Sequence, residues 1–194
     1  MGKILYIMGK SSTGKDTIFR MLKESFPEMK TIILYTTRPI REGEMDGREY
    51  FFVDEKRLSE FEDAARIIEL RAYKTMHGIW KYFTVDDGQA DLERFNYLVI
   101  GTLESYGKMC EYFGAKQLAP IYIEVADGER LTRALEREKC QEHPKYSEMC
   151  RRFLADADDF SDQNLRKYGI NRRFQNHQQD VCFHEINLYI KENL

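Results

Sequence analysis

The sequence predicts a three-layer α/β/α sandwich with a mostly parallel sheet, an inserted small subdomain and a helical lid. Three observations lead there. Short apolar runs alternate with helical stretches along most of the chain. Residues 35–85 interrupt that rhythm with aromatics and charge. A polar segment with a proline, 138–147, separates two arginine-bearing helices. With 194 residues, 42% hydrophobic and 32% charged, the chain suits one domain with a real core. The expected division is a core of 1–34, 86–137 and 153–194, an inserted subdomain at 35–85 and a lid at 138–152.

The elements follow in order. Residues 4–8, "ILYIM", form an uninterrupted apolar run, as a strand buried on both faces requires. In the next helix, 17–26, Ile18, Met21, Leu22 and Phe26 share one face. A second buried strand is expected at 31–34. Inside the insertion, "REYFFV" (48–53) and "GIWKYFT" (78–84) read as short antiparallel strands around a helix at 58–67, with Trp80, Tyr82 and Phe83 as local core. Strands at 97–100 and 121–125, a weaker one at 173–175, and helices at 103–113, 128–139, 148–167 and 179–192 complete the pattern, Asp127 serving as N-cap of the 128–139 helix.

Charge and cysteine usage narrow the function. A formal net charge of −3 gives no global attraction to nucleic acid or an acidic membrane, so neither is expected as a partner and any phosphate site must be local. Cys110, Cys140, Cys150 and Cys182 lie far apart with no C-x-x-C pair, which argues against a zinc or redox site and for free thiols. No apolar stretch reaches the roughly 18 residues of a membrane span, and the run at 4–8 is too short for a signal peptide; a cytoplasmic location is expected.

One motif carries chemistry. "MGKSSTGKDT", residues 8–17, stands between the first strand and the first helix, the context a P-loop demands, because backbone N–H groups and a helix N-terminus must converge on phosphate oxygens. Gly9 and Gly14 permit the turn, Ser11, Ser12, Thr13 and Thr17 line it, and Lys15 reaches the β and γ phosphates of ATP. Asp16 stands where such loops carry Ser or Thr. A carboxylate is also a hard ligand for Mg²⁺, so metal contact is one reading. In the other, Thr17 supplies the hydroxyl while Asp16 caps the helix or pairs with an arginine.

The P-loop together with "YTTRPIREGEMDGREYFFV" (35–53) resembles the guanylate kinase family, whose second signature matches at Thr36, Thr37, Arg38, Arg41, Gly43, Glu44, Asp46, Gly47, Tyr50 and Phe52. The similarity continues through "IIEL" (67–70), the arginine-rich helices and "FQN" (174–176). It implies an ATP- and Mg²⁺-dependent kinase that phosphorylates a nucleoside monophosphate, GMP above all, in the acceptor subdomain at 35–85. Arg38, Arg41 and Tyr50 would then hold the acceptor's phosphate, with His77 beside them. Glu69 would accept hydrogen bonds from the guanine ring, Arg133, Arg137 and Arg152 would close on the phosphates from the lid, and Asn176 would contact ATP.

The charge pattern agrees, because two anionic substrates need cations between them. No residue resembles a base, and an acceptor that is already a phosphate needs none. The departures fall on base recognition. The family serine before T-T-R is displaced by Leu34 or Tyr35, its Tyr-Gly-(Ser/Thr) element becomes His77-Gly78-Ile79, and an acidic pair becomes Val99 and Gly101. Thr75, Thr84, Thr102 and Glu104 are the candidates to compensate. Two alternatives follow: a related kinase with another phosphorylated acceptor, a nucleotide or sugar phosphate, or an inactive phosphopeptide-binding module.

Overall fold

The computed structural model describes residues 1–75 and 78–194. Chain order is β1 (Ile4–Met8), α1 (Lys15–Ser25), β2 (Lys30–Thr31), β3 (Tyr35–Thr36), β4 (Phe51–Phe52), α2 (Glu55–Asp63), β5 (Ile67–Thr75), β6 (Gly78–Val85), β7 (Tyr97–Gly101) and α3 (Leu103–Phe113). A 3₁₀ turn at Ala115–Gln117 then leads to β8 (Leu118–Glu124), α4 (Asp127–Lys139), α5 (Tyr146–Asp159), α6 (Asp162–Lys167), β9 (Arg173–Gln175) and α7 (Gln179–Asn193).

The central sheet runs β2-β7-β1-β8-β9 with every pairing parallel. All five residues of β1 are buried, and their alternation divides the core in two. Ile4, Tyr6 and Met8 pack with Leu103, Tyr106 and Met109 of α3 and with Phe160 and Leu165. Leu5 and Ile7 pack with Ile18 and Leu22 of α1 and with Cys182, Ile186 and Ile190 of α7. Helices on both faces leave the carboxyl ends of the strands as the natural ligand edge.

A second, four-stranded sheet, β4-β3-β6-β5, has its own small core of Tyr35, Leu58, Phe61, Phe83 and Val85 beneath α2. The hydroxyl of Tyr35 donates to Asp87, and Gln89 hydrogen-bonds both the amide and the carbonyl of Ile33, so the two strands of chain that join this sheet to the first are clamped together.

Several elements differ from expectation. The 31–34 strand is only the Lys30–Thr31 pairing, followed by β3 in the other sheet. The "REYFFV" strand pairs parallel with β3, not antiparallel, because β4 is reached by the long loop that carries the glycine-rich signature. The helix expected at 58–67 is Glu55–Asp63, capped by Asp54, whose side chain accepts from the Arg57 amide. It gives way to β5, a nine-residue strand that had no counterpart in the sequence reading. The long helix at 148–167 breaks at Phe160, and Ser161 caps α6 by accepting from the Asn164 amide. Asp127 lies in the first turn of α4, with Ala126 at the N-cap, because its carboxylate is engaged by Arg130 and Lys10. No helix among the described residues is long and apolar enough to cross a membrane.

Candidate active site

The loop after β1 is built to present its backbone. Ser12 (φ 64°) and Gly14 (φ 83°) both take left-handed conformations, which turn successive N–H groups toward one side, and Gly14 is the N-cap of α1. The Thr13 hydroxyl donates to the Lys10 carbonyl at 2.9 Å and braces the turn from within. A Cβ on Gly14 would stand 2.5 Å from the Asn176 amide nitrogen, so glycine is required there by space as well as by φ. The Lys15 ammonium stands at the head of α1, 3.7 Å from the Asp16 carboxylate.

Asp16 is 85% exposed, and among the described residues its cap and arginine alternatives are not realised: Gly14 holds the N-cap position and Asp16 pairs with Lys15. It lines the cleft between α1 and the second sheet together with Tyr50. An exposed carboxylate beside Lys15 is a hard oxygen donor of the kind Mg²⁺ accepts alongside phosphate oxygens. Among the described residues there is no cluster of three His, Cys, Asp or Glu side chains that would hold a metal unaided.

Asn176 supports the loop. It is 3% exposed, its side-chain nitrogen donates to the Thr13 carbonyl at 2.7 Å, and its own amide donates to Glu124, so β9 holds the loop from behind. Arg133 is likewise already engaged, donating to the Asn176 carbonyl at 2.9 Å and to Glu129. The expected trio of lid arginines is therefore divided. Arg137 is exposed on α4, whereas Arg152 is exposed on α5 and only loosely paired, 3.9 Å from Glu148.

Arg130, which the sequence reading passed over, is fully buried. Its guanidinium donates to Asp127 at 2.8 Å and to the Ser11 carbonyl at 2.9 Å, stands 3.4 Å from Asp156, and lies over the Phe153 ring. Asp156 accepts the Ser11 amide at 2.7 Å. One arginine thus ties α4 and α5 to the phosphate-binding loop. The signal in the sequence was its i+3 spacing from Asp127.

On the second sheet, Arg38 is 3% exposed and forms a two-pronged pair with Glu44, both bonds 2.8 Å, with Tyr50 and Phe52 flanking the guanidinium. The Arg41 amide donates to the same carboxylate. Glu44 thereby orders the whole signature loop. The Arg38 Nε is buried with no hydrogen-bond partner among the described residues, which leaves a donor for an anion. Arg41 is exposed, and Tyr50 is half-buried at the cleft. His77 lies outside the described residues.

The hydrogen bonds from Arg38 hold the Glu44 carboxyl below the usual carboxylate range, against the opposing effect of burial. A folded-state value below the unfolded one stabilises the fold above about pH 4.3, and this is lost as pH falls through the depressed value. Between about pH 6 and about pH 3.5 the native chain should therefore lose more stability than Glu44→Gln, measured as urea midpoints. Equal losses would contradict the assignment.

Glu69 is where expected in sequence but is occupied. It is 4% exposed, and both its oxygens are taken by Arg71, at 2.9 and 3.2 Å, while Thr84 donates to it at 2.9 Å. Arg71 also donates to the Thr102 hydroxyl at 3.1 Å. Burial disfavours the charged guanidinium, but the Glu69 carboxylate more than offsets this and its pKa is raised. Of the proposed compensators, Thr84 and Thr102 are in this network, whereas Thr75 hydroxyl donates to Gly78 at the strand end.

Known proteins match this arrangement. A family model described as guanylate kinase matches residues 1–81. The guanylate kinase of Rhodopseudomonas palustris is 40% identical over 68 residues, covering 35% of this chain and 31% of that protein. That of Oleidesulfovibrio alaskensis is 32% identical over 139 residues, covering 69% of this chain and 63% of its own length. The matched segments thus span about a third to two thirds of these relatives. The crystal structure of guanylate kinase from Anaplasma phagocytophilum superposes with a TM-score of 0.64 at 18% identity, over 100% of this chain and 87% of that one, a likeness of fold. In its glycine-rich loop, its Arg38 signature and its fold, the chain is similar to guanylate kinases.

Proposed function

We propose that the chain transfers the γ-phosphoryl group of ATP to the phosphate of a nucleoside monophosphate, GMP + ATP giving GDP + ADP. The observation that carries this reading is the pairing in one chain of a phosphate-binding loop with the buried, half-satisfied Arg38 beside Tyr50, one anion site for each substrate. The guanylate kinases that it resembles, by name, support the acceptor.

In this account the loop amides and Lys15 hold the donor's β and γ phosphates. Arg38 Nε, Arg41 and the Tyr50 hydroxyl hold the acceptor's phosphate across the cleft. Arg137 and Arg152 on either side of the 140–145 loop supply positive charge as that lid closes, and Arg133 borders the donor through Asn176. Their joint effect is to offset the repulsion between two polyanions and the charge that develops in line between them. The acceptor oxygen is already ionised, so no proton has to be removed.

Mg²⁺ supplies further charge neutralisation across the donor phosphates when bound, and Asp16 is the residue that would hold it. Asp16→Ser is expected to keep phosphoryl transfer while changing the Mg²⁺ concentration for half-maximal rate several-fold; an unchanged Mg²⁺ dependence would remove Asp16 from the metal. The function itself is tested by ADP formation from ATP with GMP, dGMP, IMP, AMP, CMP, UMP and sugar phosphates as acceptors. Turnover with GMP well above the others is expected. ATP binding without turnover of any acceptor would favour a binding module instead.

A further inference from the structure

The Glu69–Arg71 pair cannot coexist with guanine as the family resemblance would place it. A carboxylate offers about four lone-pair directions; here Arg71 takes one on each oxygen and Thr84 takes a third. The adjacent N1–H and 2-amino donors of guanine need two on neighbouring oxygens, so Arg71 has to leave Glu69 when the base arrives. A guanidinium released inside a buried site needs a new acceptor.

The surroundings limit what that acceptor is. Thr102, which Arg71 already touches, is the N-cap of α3, and its hydroxyl is shared with the Ser105 amide, so it cannot replace a carboxylate. The positions where the family carries acids are Val99 and Gly101. The space beside Gly101 is filled by Tyr6, whose hydroxyl would be 2.1 Å from a Cβ at that position. The Tyr6 and Ser105 hydroxyls are buried and satisfied by no well-formed hydrogen bond. Relative to the family pattern at Val99 and Gly101 this pocket lacks two negative charges, and Arg71 places a positive one beside Glu69.

We propose that Arg71 is a specificity-determining residue of the acceptor site: guanine displaces it from Glu69, and its freed fork then donates to the O6 and N7 of the same base. The two acceptors on that edge match a guanidinium fork in spacing and direction. The exchange leaves both side chains hydrogen-bonded, with Glu69 on the donors of the base and Arg71 on its acceptors. It replaces the donor hydrogen bonds that the missing serine and Ser/Thr positions would supply. Adenine presents an amino group where guanine presents O6 and meets the fork donor to donor.

The inference rests on the GMP reading above, and the test separates the two. Dissociation constants and KM are measured for GMP, IMP and 7-deazaguanosine 5′-monophosphate, which lacks only the N7 acceptor, with the native chain, Arg71→Met and Arg71→Lys. In the native chain, loss of N7 should weaken the acceptor about ten- to hundredfold. In Arg71→Met that preference for N7 should fall to within a few-fold of unity, with Arg71→Lys between. A merely structural Arg71 would weaken all three acceptors equally and leave the ratio intact, which would overturn the inference while GMP turnover stood. Tighter GMP binding by Arg71→Met would also overturn it, making Arg71 an obstacle. If the native chain neither binds nor phosphorylates GMP, the GMP reading falls and the inference with it.

Discussion

Lys15→Ala is expected to reduce the rate of phosphoryl transfer by about 10²–10³-fold while leaving the fold intact. The Lys15 ammonium stands at the positive end of α1, beside a loop whose left-handed Ser12 and Gly14 turn the backbone outward. Charge on the transferring group is greatest between donor and acceptor, so the loss should appear in kcat more than in KM for the acceptor. The side chain is 23% exposed and pairs with an exposed carboxylate, so truncation removes little packing. Single-turnover rates with circular dichroism of the variant check both parts. A rate within a few-fold of the native one, on a folded protein, would take Lys15 out of the mechanism.

Arg130→Ala is the substitution expected to cost most in stability, about 2–4 kcal/mol, because it removes a fully buried guanidinium that joins the exposed Asp127 to the largely buried Asp156. Asp156 would keep only the Ser11 amide, and the Ser11 carbonyl would lose its guanidinium donor. Phe153 would lose the cation over its ring. Since these contacts join α4 and α5 to the phosphate-binding loop, ATP affinity should fall together with the urea midpoint. Arg130→Lys separates the effects: it keeps the charge, loses the fork and should recover part of the stability and less of the ATP affinity. A variant with native stability would show that α5 is not anchored through this residue.

How far the sequence disclosed these features follows from the range of each interaction. The loop at 8–17 and the signature at 35–53 are contiguous, so spacing pointed to Gly14 and Lys15, the resemblance to the guanylate kinase signature pointed to Arg38 and Tyr50, and the parallel core was legible from apolar runs such as 4–8. Glu44 belonged to the same signature, but its grip on Arg38 depends on how the loop folds back. Arg71 is two residues beyond Glu69, which on a strand means the same face. That was hidden because "IIELRAYKT" alternates charge and apolar side chains too irregularly to announce a strand, and a register shift between Ile67 and Glu69 disturbs the pattern further. Asp156 and Ser11 are far apart in the chain, and nothing in either local sequence signals the other. The split of the lid arginines likewise turns on Asn176, a partner supplied by the far end of the chain.

The central claim is direct transfer of a phosphoryl group from ATP to the phosphate of GMP, and following both nucleotides by ³¹P NMR during turnover with Mg²⁺ tests it most directly. The account predicts that the ADP and GDP β-phosphorus resonances grow in step while those of ATP and GMP decline, with no inorganic phosphate. Release of inorganic phosphate with GMP unchanged, or ATP and GMP both unchanged under conditions where ATP binds, would contradict it.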